Sequence, residues 1–139
     1  MTHELKSAYA LLEYGWSGPE VEPLCVDLHG PCWWDVEGVR AFSVMGALIE
    51  ARAWPDGWRL LEQVVAPAHA ALDAFLARVR PEQLATAPKL AVEFQGLCRA
   101  SVAEVELECW LKDPLRTRSE VLRALVEAIK RSRKMGERR

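Results

Sequence analysis

Hydrophobic residues recur three or four positions apart over most of the chain, the spacing of helices with one buried face. The first such segment lies near the N-terminus, where Thr2 is a suitable N-cap and Gly15 ends the pattern. Its apolar face is formed by Leu5, Ala8, Tyr9 and Leu12. We therefore predict a first helix from Thr2 to Tyr14.

The pattern resumes after residue 35 and predicts a second helix. Asp35 is placed as its N-cap, the helix covers about Val36–Ala53, and Pro55 ends it. Gly46 in mid-helix implies that another helix approaches closely there. The buried face is formed by Val39, Phe42, Gly46 and Ile49, with Met45 and Leu48 beside it.

A third and longer helix is predicted from Asp56 to about Arg80. Pro67 lies inside this segment. Because proline removes one backbone hydrogen bond and clashes with the preceding turn, we expect either a kink between Gln63 and Pro67 or two abutting helices.

Two more helices follow. Pro88 is well placed to begin the fourth, which should reach about Leu111 before the turn at residues 113–114. The fifth begins with a capping box, in which Thr117 and Glu120 bond each other's backbone amides. Its buried stripe is Val121, Leu122, Leu125 and Ile129.

The fold class that these elements predict is all-α. We expect a single-domain bundle of about five helices over residues 1–129, followed by a basic tail over 130–139. Residues 16–34 form one long irregular loop, and only residues 24–28 resemble a short extended piece. Two helical hairpins with this loop packed on one end is the simplest arrangement.

Charge is distributed unevenly along the chain. The net charge is −2, and the last ten residues hold six basic residues and one acidic residue, which leaves −7 for residues 1–129. An acidic body disfavours direct nucleic-acid binding. No apolar run approaches the roughly 20 residues that cross a bilayer, and the N-terminus lacks the pattern of a secretion signal, so no membrane association and a cytoplasmic location are expected.

One cluster has the chemistry of a metal site. Cys25, His29 and Cys32 supply thiolate and imidazole groups that suit zinc, with a fourth ligand from one of the two remaining cysteines. The spacing matches no common zinc module, so the favoured interpretation is that these residues pack the loop. We expect no metal, no cofactor and no catalytic residue, and the phosphate-binding, hydrolase and protease motifs are absent.

Tryptophans and acidic residues are the candidates for partner binding. Most tryptophans fall at element boundaries, where they either pin loops onto a core or anchor a partner protein. Trp33 and Trp34 are adjacent, so one of them is a candidate for an exposed position. Glu104 and Glu108 share a helical face that would suit a basic partner, although a solvated face is the simpler interpretation.

Two stretches resemble a family of small bacterial and phage proteins without an assigned function. One is Gly15-Trp16 followed by Gly46-Ala47-Leu48, and the other runs from Trp110 through Arg116-Thr117 to Glu120-Val121-Leu122. The chain has Ser43 and Leu111 where the family often has cysteine and asparagine. The resemblance implies a phage or mobile-element origin, a setting in which small acidic proteins often inhibit a host protein.

These features favour a non-enzymatic protein-interaction module, in its most specific form a phage inhibitor of a host defence system such as CRISPR or of a regulatory protein. The alternatives are a protein that binds a small molecule or zinc through the cysteine-containing loop, and the subunit of a homodimer or larger homo-oligomer.

Overall fold

The computed structural model describes residues 1–22, 33–78 and 102–137. Helices dominate this part of the chain, so the predicted all-α bundle is confirmed. The described elements are α1 (Thr2–Gly15), a 3-10 helix (Pro19–Val21), β1 (Trp33–Val36), β2 (Val39–Phe42), α2 (Val44–Glu50), α3 (Asp56–Val65), α4 (Pro67–Arg78), α5 (Val102–Lys112) and α6 (Arg118–Glu137). The short extended piece expected at residues 24–28 and the start of the fourth helix at Pro88 lie outside the described residues.

Helix α1 begins at Thr2 itself, so the prediction that Thr2 is the N-cap is wrong by one position. Met1 occupies the cap and has no side-chain oxygen to offer. The Thr2 hydroxyl instead forms a hydrogen bond of 2.9 Å with the hydroxyl of Ser132 in α6. A side chain that suits a local cap is used here to join the first helix to the last.

The predicted second helix is wrong over its first half, where the chain forms a β-hairpin. Strands β1 and β2 pair antiparallel, with Trp33 opposite Phe42. Glu37 and Gly38 connect them with φ values of 51° and 83°, the two left-handed residues that a tight two-residue hairpin turn requires. The N-cap of α2 is Ser43, whose Oγ accepts from the Gly46 amide at 3.0 Å, and not Asp35.

Gly15 permits the hairpin to lie against the end of α1. A Cβ at this position would overlap the backbone carbonyl of Arg40, so only glycine fits. The Ser17 amide donates to the Phe42 carbonyl at 2.8 Å and extends the contact. The hairpin is thereby attached edge-on to the helical core.

The two abutting helices predicted around Pro67 are confirmed. Helix α3 ends at Val65, Ala66 leaves helical geometry, and Pro67 is the first residue of α4. Proline fits this position because the first helical residue needs no amide donor. Residues 56–78 thus form two helices that meet at Ala66.

The capping box of the last helix is also confirmed. The Glu120 amide donates to Thr117 Oγ1 at 3.3 Å, and the Thr117 amide donates to Glu120 Oε1 at 3.1 Å. Arg116 stacks over the Trp110 ring at 3.9 Å and donates from Nε to the Trp110 carbonyl at 2.8 Å, which fixes the turn between α5 and α6. Helix α6 then continues through most of the basic tail to Glu137.

The core lies between α1, α2, α3, α5 and α6. Helix α6 packs against α1 and α3, while α5 packs against α3 and α4. The largest fully buried apolar side chains are Leu5, Leu12, Val44, Leu48, Leu107, Leu111, Val121 and Leu125. In the described ranges, no helix is both long and apolar enough to cross a membrane.

Candidate functional site

Carboxylates from three helices meet on one side of the bundle. Glu62 comes from α3, Asp73 from α4, and Glu104 and Glu108 from α5, and together we call them the acidic surface. Helices α3 and α4 both pack against α5, which is why side chains distant in sequence become neighbours. The structure therefore adds Glu62 and Asp73 to the two glutamates identified from the sequence.

The carboxylates of the acidic surface repel one another. Burial, and then the charges of Glu104 and Asp73, raise the pKa of Glu62 to about 7, although Arg59 opposes this. Burial and the charges of Glu108 and Asp73 likewise raise the pKa of Glu104. Near neutral pH the surface holds carboxylates that a nearby cation would stabilise.

Asp73 also has a structural role at this surface. Its two carboxylate oxygens accept hydrogen bonds from the amides of Val102 and Ala103, at 3.2 and 3.0 Å. These are free donors at the start of α5, where a negative charge also complements the helix dipole. Asp73 thus fixes α4 against the first turn of α5, which also carries Glu104, a neighbour of Glu62.

Helices α4 and α5 also carry partly exposed groups other than these carboxylates. His69 Nδ1 lies 3.9 Å from Glu106 Oε2, linking α4 and α5. Val105 on α5 and Phe75 on α4 are apolar but exposed, at 41% and 62%.

The structure places the two tryptophan candidates in β1. Trp33 is half-buried, with its ring centroid 6.1 Å from that of Phe42 and the Arg40 guanidinium 4.4 Å above the ring. Trp34 pairs with Ala41 across the hairpin. The two tryptophans lie in the hairpin, whereas Glu104 and Glu108 lie on α5.

A second perturbed carboxyl group lies at the junction of α1, the 3-10 helix and α2. Glu22 Oε1 accepts from the Trp16 indole Nε1 at 2.9 Å and from the Val44 amide at 2.6 Å. The side chain is buried, and burial raises its pKa to about 7 against the opposing effect of these hydrogen bonds. Its other oxygen, Oε2, is buried without a hydrogen-bond partner in the described residues.

Sequence reasoning missed Glu22, Glu62 and Asp73. Each of them interacts with a group that is distant in the sequence. Only Asp73 has a local signal, because a single aspartate in an alanine-rich helix is a candidate acceptor for a backbone amide. Trp16 at an element boundary was the closest pointer to Glu22, because a buried indole N–H usually has an acceptor.

The candidate zinc ligands Cys25, His29 and Cys32 lie outside the described residues, as does Cys98. Cys109 is exposed on α5. Within ranges 1–22, 33–78 and 102–137, no three histidine, cysteine, aspartate or glutamate side chains are arranged to hold a metal ion. Comparison of the chain with protein-family models, with curated proteins and with solved structures finds no match in any of the three.

Proposed function

We propose that this protein acts by binding another protein, and that the acidic surface on α3, α4 and α5 contacts a basic patch of that partner. The observation that carries the proposal is the convergence of four carboxylates from three helices, close enough for their charges to add to the effect of burial in raising the pKa of Glu62 and Glu104. A lysine or arginine placed among them would offset the repulsion and favour the ionised form of both glutamates. Binding energy is thereby concentrated at one place.

The surface is suited to binding in two further respects. It is built on packed helices, and Asp73 caps α5, so little ordering entropy is lost when a partner binds. The exposed Val105 lies beside Glu108 on the surface of α5 and provides apolar contact area. The proposal is of a non-enzymatic interaction module acting in the cytoplasm.

The proposal is tested by affinity capture from a bacterial lysate with quantitative mass spectrometry. The bait is the wild-type chain, Glu108→Lys, or the control Glu20→Lys, which makes the same charge change on the exposed 3-10 helix. We expect a basic protein to be captured by the wild type and the control, and to be depleted about tenfold or more by Glu108→Lys. Equal capture by all three baits would exclude the acidic surface.

The most specific form of the proposal is a phage-encoded inhibitor of a host defence or regulatory protein. Its support is the resemblance of the Gly-Trp and Trp…Arg-Thr segments to small phage and bacterial proteins, together with the acidic surface. Expression in a bacterium with active CRISPR immunity tests it directly. Phage plaques should reappear with the wild type and disappear with Glu108→Lys, while plaque counts that do not respond to the wild-type protein would reject this form.

A further inference from the structure

A groove between α1 and α6 combines basic and apolar side chains. It has a volume of about 260 Å³ and is lined by Lys6, Tyr9, Val126, Ile129, Lys130 and Arg133. We call it the basic groove. Val126 is exposed at 37%, so the floor of the groove is accessible as well as apolar.

The cations of the basic groove are mostly left without an opposing charge. Lys130 lies 3.2 Å from Glu127, but Lys6 and Arg133 form no ion pair within the described part of the chain. Three positive side chains around an apolar floor suit a protein surface that carries both carboxylates and apolar side chains. A phosphate backbone would satisfy the cations and leave the apolar floor uncovered.

The complementary surface is present on the same chain. The acidic surface carries four carboxylates and has the exposed Val105 on the same helix as Glu104 and Glu108. The basic groove lies between α1 and α6, whereas the acidic surface lies on α3, α4 and α5, so no helix contributes to both. A second copy can bring one onto the other.

We propose that a second copy of this chain is a partner of the acidic surface and binds it through the basic groove. This inference rests on the proposed function, since it names an occupant for the same surface. Each copy carries both members of the pair, so the contact is repeated wherever two copies meet. In this arrangement the basic C-terminal end of one copy contacts the acidic body of the other, which uses the uneven charge of the sequence.

The test is the oligomeric state of the full chain by sedimentation velocity, at low and at high salt. We compare the wild type with Glu108→Lys, with Arg133→Glu, with the double variant and with the control Glu20→Lys. The wild type and the control should self-associate at low salt, and the association should weaken about tenfold when salt is raised, because exposed ion pairs are screened. Each single reversal should weaken association about tenfold or more, and the double reversal should restore most of it.

The double reversal distinguishes this inference from the proposed function. It restores complementarity between two copies, but it still presents a lysine to any other basic partner, so capture of that partner stays lost. A wild type that is monomeric at every concentration and salt overturns self-association and leaves the proposed function standing. The same holds for a monomer that binds a fluorescent DNA duplex through Arg133, because nucleic acid would then be the occupant of the groove.

Discussion

The pKa of Glu22 and the pKa of Glu62 are both raised to about 7, but the physical causes differ. At Glu22 the cause is burial, and no neighbouring charge contributes. At Glu62 burial is joined by the charges of Glu104 and Asp73. Glu22 is tied by two hydrogen bonds to Trp16 and Val44, whereas Glu62 belongs to a group of like charges. The same raised pKa therefore marks a buried, hydrogen-bonded carboxyl group in one region and a group of neighbouring carboxylates in the other.

The largest expected effect is a difference in stability between a variant of Glu22 and a variant of Glu62. Glu22→Ala leaves the Trp16 indole and the Val44 amide buried without an acceptor, so we expect a loss of about 2–4 kcal/mol in the free energy of unfolding. Glu62→Ala removes a charge from a repelling group and should change stability little or increase it. Urea unfolding measures Glu22→Ala at pH 6 and Glu62→Ala at pH 8, where Glu62 is largely ionised, and equal losses in the two variants would remove the distinction.

Stability as a function of pH provides the second test. Because burial raises the pKa of Glu22 from 4.5 to about 7, the protonated form favours folding. Its contribution is fully present below pH 4.5 and is lost as the pH rises through 7, with a slope of at most about 1.4 kcal/mol per pH unit. Glu22→Gln keeps an acceptor oxygen and cannot ionise, so its stability relative to the wild type should rise over this interval. Glu20→Gln, exposed on the same 3-10 helix, should follow the wild type.

Salt should move one pKa more than the other. Repulsion between partly exposed carboxylates is screened by ions, while the cost of burying a carboxylate is not. We expect the pKa of Glu62 to fall as salt is added and that of Glu22 to remain unchanged, as followed by carbon NMR of the side-chain carboxyls. A fall of similar size at both residues would mean that long-range charge, and not burial, governs Glu22.

The smallest expected effect concerns a single neighbour. Glu104→Gln removes the charge that contributes most, after burial, to the raised pKa of Glu62. The pKa of Glu62 should therefore fall, and that of Glu22 should stay the same. If the titration of Glu62 does not respond, the acidic surface is not electrostatically coupled and the proposed function loses its main support.

What the sequence predicts well is what depends on neighbours along the chain. The capping box is predictable because Thr117 and Glu120 lie within one turn of each other. The break at Pro67 is predictable because the proline ring fixes φ and removes the amide donor. The stripe of α6 was found because its apolar positions repeat without interruption.

The hairpin was missed because residues 39–49 satisfy a helical period by coincidence. Val39 and Phe42 are three positions apart, as on a helix, yet they belong to a strand that precedes α2. The overlooked signal was Glu37-Gly38 between two segments rich in aromatic and branched residues, which is a turn sequence. The N-cap of α2 is Ser43, directly before Val44, and it lies eight residues after the predicted cap, Asp35.

Half of the acidic surface could not be predicted for a different reason. Glu104 and Glu108 share a helix face, so their proximity follows from helical geometry. Glu62 and Asp73 join them only through the packing of α3 and α4 on α5, and that packing is a property of the whole bundle.

The pairing of α1 with α6 has a consequence for how the protein is made. Leu5 and Leu12 of α1 are fully buried, and α6, bonded to α1 through Ser132 and Thr2, supplies part of their cover. The ribosome completes α1 before it begins α6, so the part of α1 that α6 covers stays exposed while the helices between them are made. Contacts of such long sequence separation form late, which exposes this segment to chaperones and to aggregation until the last turns emerge.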